Sequence, residues 1–410
     1  MNQITFITGG VTAAQGFSAS GEHLGVRKNR ARRDVALIVS DSPASAACCY
    51  TQNLVQGAPI TVTKANVADG VAQAIVCNSG NANTCNANGV EIATGMCDLV
   101  AKYTGVKASD VIVASTGVIG QPMSLDPFAK GMGKLADSLE STPTGGSRAA
   151  EAIMTTDTVK KEVAVRFALG GKECKLGGIS KGSGMICPNM ATMLCFLTTD
   201  AAISPVALSR ALSTVVPDTF NMLSIDGDTS TNDMVSILAN GAAGNPKIET
   251  AMGADYECFK DALYKVCERL CEIMAKDGEG ASKLMTCEVS GAKSETVAKA
   301  VAKSVIKSTL LKAAIFGEDA NWGRVLCAIG YGGVEVDVSK VDVNFRSKHG
   351  LVSVCRGGAG VAFSEETAKE VLCDDEITIQ VSLNSGAATA KAWGCDLTYD
   401  YVKINGDYRT

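Results

Sequence analysis

The sequence contains little histidine and little aromatic character. Its 410 residues include two histidines and two tryptophans, and aromatic side chains make up 5% of the chain. A Cys/His zinc site or a Ser-His-Asp triad therefore has only His23 and His349 to draw on. Both lie in glycine-containing segments, "GEHLG" and "SKHGL", which are typical of turns. We interpret both histidines as exposed or structural residues, and we expect no metal site.

Long apolar runs and nucleotide-binding loops are also absent from the sequence. The uncharged stretches 111–125 and 182–199 contain glycine and are too short to cross a membrane. No Walker loop is present, and no GxGxxG motif follows a strand and opens a helix. The first residues show no basic region followed by an apolar core, as a secretory signal would. We therefore expect a cytoplasmic protein without a membrane partner.

Cysteine is abundant, but its spacing excludes a zinc ribbon or a dithiol redox site. None of the 16 cysteines forms a CxxC pair, and no framework spacing recurs. We interpret them as reduced, mostly buried thiols that act as small apolar side chains.

The composition is that of a soluble globular protein of two or three domains or lobes. Hydrophobic residues make up 46% and charged residues 20%, with a net charge of −5. This balance gives no electrostatic reason to expect nucleic acid as a partner. The single dense basic run, "RKNRARR" at 27–33, lacks interleaved aromatics, and we interpret it as a solvated loop.

Strand-like and helix-like patterns alternate along the first half of the chain. Segments 34–41, 72–79 and 110–116 are short, β-branched and bounded by polar residues or glycine, as buried strands are. A helical stripe of apolar residues precedes Gly105, which is a plausible C-cap. That stripe consists of Ile92, Met96, Leu99, Val100 and Tyr103.

Three further helices are predicted in the second half, at 204–216, 257–278 and roughly 294–311, and segments 141–147 and 244–248 are predicted as surface loops. The last eighty residues look rich in strands. We therefore expect an α/β fold with a layered α-β-β-α core built from both halves, and a smaller β-rich C-terminal lobe.

With so little histidine, hydroxyl chemistry is the remaining route to a nucleophile. Residues 181–200 read "KGSGMICPNMATMLCFLTTD", a stretch with no charge between Lys181 and Asp200. A threonine acts without histidine when an α-amine serves as its base, which requires that it be the first residue of a chain. The reference pKa of that amine, near ~8, suits a general base. Thr192, after the small Ala191, is a candidate, although an Ala-Thr pair alone is a weak signal.

Other segments offer polar groups that such a nucleophile would need. "ASTGVIG" at 114–120 follows a predicted strand and is typical of a turn that presents N–H groups to an oxyanion. "MTTDT" at 154–158 and Glu279, just past a predicted helix, could fix a zwitterionic substrate. "SIDGDTSTND" at 224–233 fails the EF-hand register, because Thr231 stands where glycine is required, and we interpret it as a polar loop.

The central stretch resembles the cleavage-site segment of the ornithine acetyltransferase family, the arginine-biosynthesis bifunctional glutamate N-acetyltransferases. Eight further blocks look like family blocks and follow the family's order over essentially the whole chain. They are "GVTAAQGF", "NSGNAN", "STGVIG", "IMTTDT", "SIDGDTSTND", "DGEGASK", "GEDANWGRV" and "YVKINGDYRT". Cys187 and Cys195, which bracket the candidate nucleophile, depart from the small or apolar residues expected there.

The resemblance implies a precursor that cuts itself between Ala191 and Thr192, giving an α chain of 1–191 and a β chain of 192–410. Thr192 would then be the nucleophile, and Thr116 and Gly117 would form the oxyanion hole. The residues implied to contact the amino-acid substrate are Thr155, Lys181, Thr192, Glu279, Asn405 and Thr410. The choice of Thr155 over the adjacent Thr156 is the least secure of these.

The implied reaction is ping-pong acetyl transfer from N-acetylornithine to glutamate through an acetyl-threonine intermediate, without a cofactor. Some members of the family also use acetyl-CoA, and the sequence leaves that open. The implied assembly is a heterotetramer of two α and two β chains. Two alternatives remain at this point: an N-terminal-nucleophile amidohydrolase that releases the acyl group to water, and an unprocessed relative that binds amino acids without catalysis.

Overall fold

The structure, a computed structural model, describes residues 4–187 and 193–407. The chain divides into two compact units. The first unit comprises Met1–Gly182, Asn189–Pro217 and Thr229–Leu270, and the second comprises Ser183–Pro188, Asp218–Asp228 and Cys271–Thr410. Each unit therefore combines segments from both sides of the Ala191–Thr192 bond.

Sixteen strands lie within the two described ranges. They are β1 (Thr5–Ile7), β2 (Phe17–Glu22), β3 (Val35–Tyr50), β4 (Val71–Asn78), β5 (Val111–Ser115), β6 (Lys161–Leu169), β7 (Lys172–Lys181), β8 (Leu194–Thr199), β9 (Leu223–Ser224), β10 (Met234–Ala239), β11 (Leu284–Ala292), β12 (Asp342–Ser347), β13 (Gly350–Arg356), β14 (Ala359–Gly360), β15 (Glu376–Ser382) and β16 (Ala388–Cys395).

Eleven α-helices lie in the same part of the chain. They are α1 (Ala58–Asn66), α2 (Gly89–Thr104), α3 (Asp126–Asp137), α4 (Pro143–Ile153), α5 (Pro205–Val215), α6 (Ala254–Lys276), α7 (Glu295–Lys307), α8 (Thr309–Phe316), α9 (Trp322–Gly330), α10 (Glu365–Leu372) and α11 (Tyr399–Asp407). Among the described residues, no helix combines the length and the apolar character that a membrane span requires.

The first unit contains a nine-stranded sheet. Its order is β1-β6-β7-β8-β10-β3-β4-β5, with β2 paired to β3. Strand β8 is antiparallel to β7 on one side and parallel to β10 on the other. Strands that precede and follow residue 191 are therefore hydrogen-bonded neighbours in one sheet.

This sheet is folded into two layers that share one core. Ile112 of β5 and Ile179 of β7 are far apart in the strand order, yet both belong to one buried cluster, together with Phe196 of β8. The alternate side chains of β4 and β5, such as Val76 and Val113, lie in a second cluster with α2 and α3. Because successive strand residues point to opposite faces, these helices cover the outer side of that layer.

The long helix α6 covers the other layer. The ring of Phe259 packs edge-on against Phe167 of β6, with ring centroids 6.3 Å apart. A Cβ atom placed on Gly178 of β7 would lie 3.4 Å from Leu270. Helices thus cover both outer faces, and the expected layered α-β-β-α core, built from both halves of the chain, is confirmed.

The second unit is the smaller, β-rich lobe expected toward the C-terminus. Its seven-stranded sheet has the order β14-β13-β12-β15-β11-β16-β9. Helix α7 lies on β11 and β16, where Gly394 allows a close approach: a Cβ atom there would lie 2.5 Å from Ile306. The small side chains Ala298 and Ala302 are fully buried on the same helix.

Local signals located two of the predicted helices well. Gly105 ends α2 in the left-handed conformation with φ 78°, and its N–H bonds to Ala101 O at 3.0 Å. Ser204 begins α5, where its hydroxyl accepts a hydrogen bond from Ala207 N at 3.3 Å. The helix predicted at 257–278 is α6, which begins three residues earlier and ends at Lys276.

Two predictions were wrong. The helix expected at 294–311 is two helices, because Ser308 adopts an extended conformation, ending α7 and capping α8 through its hydroxyl. Segment 141–147, predicted as a loop, contains the start of α4. There Thr142 is the N-cap and Pro143 the first helical residue, so the Thr-Pro pair begins a helix.

Close backbone contact between the N-terminal segment and β7 predicts a large effect for Gly177→Ala. A Cβ atom on Gly177 would lie 2.0 Å from the backbone oxygen of Gly10, which a rotamer change cannot relieve. We expect the free energy of unfolding to fall by about 2 kcal/mol or more, measured by urea denaturation. Gly330→Ala is the control, since nothing lies within 4 Å of the new atom. Equal effects of the two substitutions would contradict the packing described here.

Candidate active site

The turn after β5 holds Thr116 and Gly117, the two residues predicted to stabilise an oxyanion. Thr116 is half-buried, and its N–H bonds to Asn78 O at 2.9 Å. Gly117 has a φ of 126°, and a Cβ atom there would lie 2.9 Å from both Asn81 N and Gly80 C. Only glycine fits this position. The Gly117 N–H makes no hydrogen bond to any residue in 4–187 or 193–407.

Two of the polar blocks noticed in the sequence brace this turn. From the "NSGNAN" block, Asn78 donates to Ser115 Oγ at 2.7 Å and accepts from Gly80 N and Asn81 N, both at 3.0 Å. From "SIDGDTSTND", Asn232 donates to Ser115 O at 3.0 Å. The polar-loop interpretation of the second block is thus right, and its Asn232 side chain has a structural role.

Lys181 lies beside the same turn. It is the last residue of β7 and is 8% exposed. Its Nζ donates to Thr116 Oγ1 at 3.3 Å. The structure therefore brings together two predicted site residues that are 65 positions apart in the sequence.

A buried carboxylate, Asp157, connects this region to the "MTTDT" segment. Its Oδ1 accepts from Lys161 Nζ at 2.6 Å and from Gly182 N at 2.8 Å. Its Oδ2 accepts from Thr155 N at 2.9 Å. Burial by itself would raise the pKa of Asp157, but Lys161, Lys181 and these hydrogen bonds outweigh burial and lower the pKa to about 2.

Burial has the opposite effect on the lysine. It lowers the pKa of Lys181, and Asp157 and Asp233 counter that by favouring the protonated form. Cys77 and Lys161 also act on Lys181, with opposite signs. Asp157, Lys161, Lys181 and Asp233 are each less than 10% exposed, and we call them the buried charge cluster.

Asp233 is the anomalous member of the buried charge cluster. Its Oδ2 accepts no hydrogen bond from any described residue. Burial raises the pKa of Asp233 well above its ordinary range, against the effects of Ser230 and Lys181. Asp233 immediately precedes β10, and its backbone oxygen accepts from Thr51 N at 3.0 Å.

The basic run at 27–33 is a loop, as predicted, but its side chains are not all solvated. Arg27 Nε and Nη2 donate to Ser79 O at 2.8 and 2.6 Å. Arg32 donates to Thr155 O at 2.5 Å. Arg32 thus holds the backbone of Thr155, and Arg27, which also donates to Met154 O, holds the residue before it.

In the second unit, Glu279 and Asn405 lie together. Asn405 Nδ2 donates to Glu279 Oε2 at 2.8 Å, and Glu279 N donates to Ser183 O at 2.7 Å. A Cβ atom on Gly184 would lie 2.4 Å from the Glu279 carboxylate, so the Gly184 backbone approaches this acid directly. Both predicted residues thus belong to one polar group within their unit.

Ala191 and Thr192, the predicted cleavage residues, and the terminal Thr410 lie outside the described residues. The two cysteines that bracket them are described, and both are buried. Burial raises the pKa of Cys195 well above the usual value, so this thiol is protonated at neutral pH and is a poor nucleophile.

Three residues of the buried charge cluster were not singled out from the sequence. Asp157 and Asp233 stand in quoted blocks, but isolated acids in polar segments predict solvent exposure. The spacing of Asp157 and Lys161, four residues apart, suggests a helical ion pair, yet Lys161 opens a strand. The four-residue spacing therefore indicates that the two residues pair, but it does not indicate that the pair is buried.

Comparison with known proteins identifies the family. The ArgJ family model matches residues 18–410. The chain belongs to the ArgJ family. It is 49% identical over 407 residues to the arginine biosynthesis bifunctional protein ArgJ of Symbiobacterium thermophilum, covering 99% of this chain and 100% of that protein. It is 48% identical over 401 residues to ArgJ 1 of Clostridium acetobutylicum, covering 98% and 97%. The resemblance predicted from the motifs is confirmed.

Two solved structures of ArgJ-type proteins are also similar to parts of this ArgJ-family chain. A crystal structure of the Bacillus halodurans ArgJ shares 46% identity and covers 52% of this chain and 97% of that one, with a TM-score of 0.49. The ornithine acetyltransferase of Mycobacterium tuberculosis, complexed with ornithine, shares 32% identity and covers 46% and 100%, with a TM-score of 0.43.

Burial of the Asp233 carboxyl predicts a pH-dependent stability difference for Asp233→Asn. Its pKa is raised on folding, so its contribution is favourable below the unfolded value of 3.8 and is lost as the pH rises toward the folded value. Asparagine does not ionise, so the variant does not lose this contribution as the pH rises. We expect the stability of the variant relative to the wild type to increase as the pH rises above 3.8, measured by urea denaturation across a pH series. If the difference in stability between the variant and the wild type stayed constant or shrank as the pH rises, the raised pKa of Asp233 would be contradicted.

Proposed function

We propose that this chain is an N-acetyltransferase of arginine biosynthesis that moves the acetyl group from N2-acetyl-L-ornithine to L-glutamate. Full-length similarity to the arginine biosynthesis bifunctional proteins ArgJ supports the pathway, and the two substrates are those implied by the resemblance of the sequence motifs. The observation that supports the chemistry is the Thr116–Gly117 turn, in which the Gly117 amide bonds to no described residue and the Thr116 hydroxyl lies 3.3 Å from Nζ of the buried Lys181.

The proposed nucleophile is Thr192, created when the chain cuts itself after Ala191. Its Oγ attacks the acetyl carbonyl carbon, and its proton passes to the Thr192 α-amine. The oxygen of the tetrahedral intermediate accepts hydrogen bonds from the Thr116 hydroxyl and the Gly117 amide. The C–N bond then breaks, the amine returns the proton to the departing ornithine nitrogen, and an acetyl-threonine ester remains. The amino group of glutamate takes the acetyl group by the reverse steps.

The proposed substrate contacts divide by charge. Lys181 suits the α-carboxylate of an amino acid. Asp157 links Thr155 to this lysine, because its carboxylate accepts from the backbone amides of Thr155 and of Gly182, which follows Lys181. Glu279, held by Asn405, suits an amino group, and the terminal carboxylate of Thr410 adds negative charge.

Cleavage would leave two chains, 1–191 and 192–410, and their association is supported by strand pairing. Strand β8 begins at Leu194 and is hydrogen-bonded to β7 on one side and to β10 on the other. A chain beginning at Thr192 would therefore keep β8 inside the sheet of the other chain. We propose a heterotetramer of two α and two β chains that works in the cytoplasm without a cofactor. Acetyl-CoA as a second acetyl donor is left to the assay below.

Thr192→Ala tests both proposed roles of this residue, because it removes the hydroxyl needed for cleavage and transfer. We expect the wild type to give two fragments by intact mass, one beginning at Thr192, and to transfer acetyl from N-acetylornithine to glutamate. The alanine variant should stay a single chain without transfer, while Thr192→Ser keeps some of each activity.

The matched control is Thr214→Ala, an exposed threonine of α5, which should behave as the wild type. Full transfer by Thr192→Ala would refute the nucleophile. Acetate release as the main reaction would favour the amidohydrolase, and an uncut, inactive wild type would favour a binding protein. Repeating the assay with acetyl-CoA in place of N-acetylornithine shows whether it also donates.

Thr116→Val tests the oxyanion role, since valine keeps the shape and removes the hydroxyl. Loss of one such donor lowers kcat by roughly a hundredfold to a thousandfold. We expect that loss with little change in KM, because the bond forms with the intermediate rather than with the substrate. Thr116→Ser retains the hydroxyl and should recover most of the activity. An unchanged kcat in the valine variant would remove Thr116 from the mechanism.

A further inference from the structure

Asp157 joins three segments that the proposed function uses. Its carboxylate accepts from the Thr155 amide at 2.9 Å, from the Gly182 amide at 2.8 Å and from Lys161 Nζ at 2.6 Å. Both Asp157 and Lys161 have no exposed side-chain surface. One buried carboxylate thus fixes the backbone beside two predicted substrate contacts, Thr155 and Lys181.

The two oxygens of the Asp157 carboxylate accept from the Gly182 and Thr155 amides, whereas an asparagine has one acceptor oxygen and an NH2 group that only donates. These two hydrogen bonds do not by themselves offset the burial of a full charge. Two buried lysines face Asp157, however, and each would be costly to bury without an opposite charge. Lys161 forms an ion pair with Asp157. Lys181 bonds to Thr116 Oγ1 instead, and the Asp157 charge favours its protonated form.

We propose that Asp157 is a positioning residue: its carboxylate holds the Thr155 and Gly182 amides in place and keeps Lys181 protonated, so that Lys181 can bind the substrate carboxylate. This inference rests on the proposed function, since it takes Lys181 as a substrate contact. Asp157 itself touches no substrate and acts through its neighbours.

The other groups that face Lys181 set the expected direction of change. Asp233 and Cys77 also favour its protonated form, and Lys161 opposes it. Removing the Asp157 charge takes away one of the effects that favour the protonated form, while the opposing effect of Lys161 remains. The pKa of Lys181 should therefore fall in Asp157→Asn, even though Asp233 remains.

Asp200→Asn is a matched control for this substitution. Asp200 is also a buried acid, 2% exposed, and it accepts from the Gln15 and Lys175 amides at 3.0 and 2.7 Å. It is not among the groups that act on Lys181. Both substitutions should lower stability, but only Asp157→Asn should alter Lys181.

The first measurement is the titration of Lys181 by NMR in full-length protein carrying ¹³C-labelled lysine, with Lys181→Met for assignment. The second is the kinetics of acetyl transfer as a function of pH. For Asp157→Asn we expect a lower pKa of Lys181 and a KM for N-acetylornithine raised on the order of tenfold. That rise should grow toward alkaline pH, with a smaller change in kcat. Asp200→Asn should change neither quantity.

An unchanged Lys181 titration in folded Asp157→Asn would overturn the proposal, and so would equal effects of the two asparagine variants. The titration does not depend on catalysis. If the wild type transfers no acetyl group but the titration shifts as expected, the proposed function fails and the positioning role stands.

Should Asp157→Asn fail to fold, the double variant Asp157→Asn/Lys161→Met removes both charges of the pair. Asp157 acts on Lys181 more strongly than Lys161 does. The double variant should therefore still show a lower Lys181 pKa than the wild type, and a wild-type titration there would equally overturn the proposal.

Discussion

The first unit depends on the pairing of β8 with a strand on each of its sides. Its six residues are all buried, and they bond to β7 and to β10 over their whole length. This pairing closes the shared core between the two layers, in which Phe196 of β8 lies with Ile112 of β5. It also fixes the two residues that flank the connection between β7 and β8, because Lys181 at the end of β7 is directly opposite Leu194 at the start of β8. The sheet therefore sets the positions of both ends of this connection.

Periodic and local signals allowed much of the fold to be predicted from the sequence. Contacts between residues far apart in the chain could not be predicted in this way. The C-cap at Gly105 was predicted correctly, and so was the start of the helix expected at 204–216, which Ser204 caps, because both signals depend on neighbouring residues. The break at Ser308 was missed because an apolar stripe continues across it, and only the extended backbone of that residue reveals two helices. For the site, the motifs predicted Thr116 and Lys181 separately. Their 3.3 Å contact follows from the folding of the sheet into two layers, which brings β5 and β7 together although they are far apart in the strand order, and no local pattern contains this.

The buried charge cluster explains why two polar blocks far apart in sequence occur in one protein. Burying two lysines and two aspartates costs several kcal/mol per ion unless the charges compensate each other. Asp157 is well compensated, whereas Asp233 keeps an oxygen without a partner among the described residues. Core packing favours neither arrangement, so the cluster is better explained by binding or catalysis than by stability. The sequence could not reveal this, since each acid on its own is typical of a surface turn.

The contact between Lys181 and Thr116 has a consequence for the direction of a single hydrogen atom. An ammonium group only donates hydrogen bonds, so a protonated Lys181 obliges Thr116 Oγ1 to accept. The hydroxyl proton of Thr116 must then point away from the lysine, along one of the remaining directions around the oxygen. A rotor that would otherwise turn freely is oriented before any ligand arrives. The protonation state of a lysine thus decides where a neighbouring alcohol presents its hydrogen.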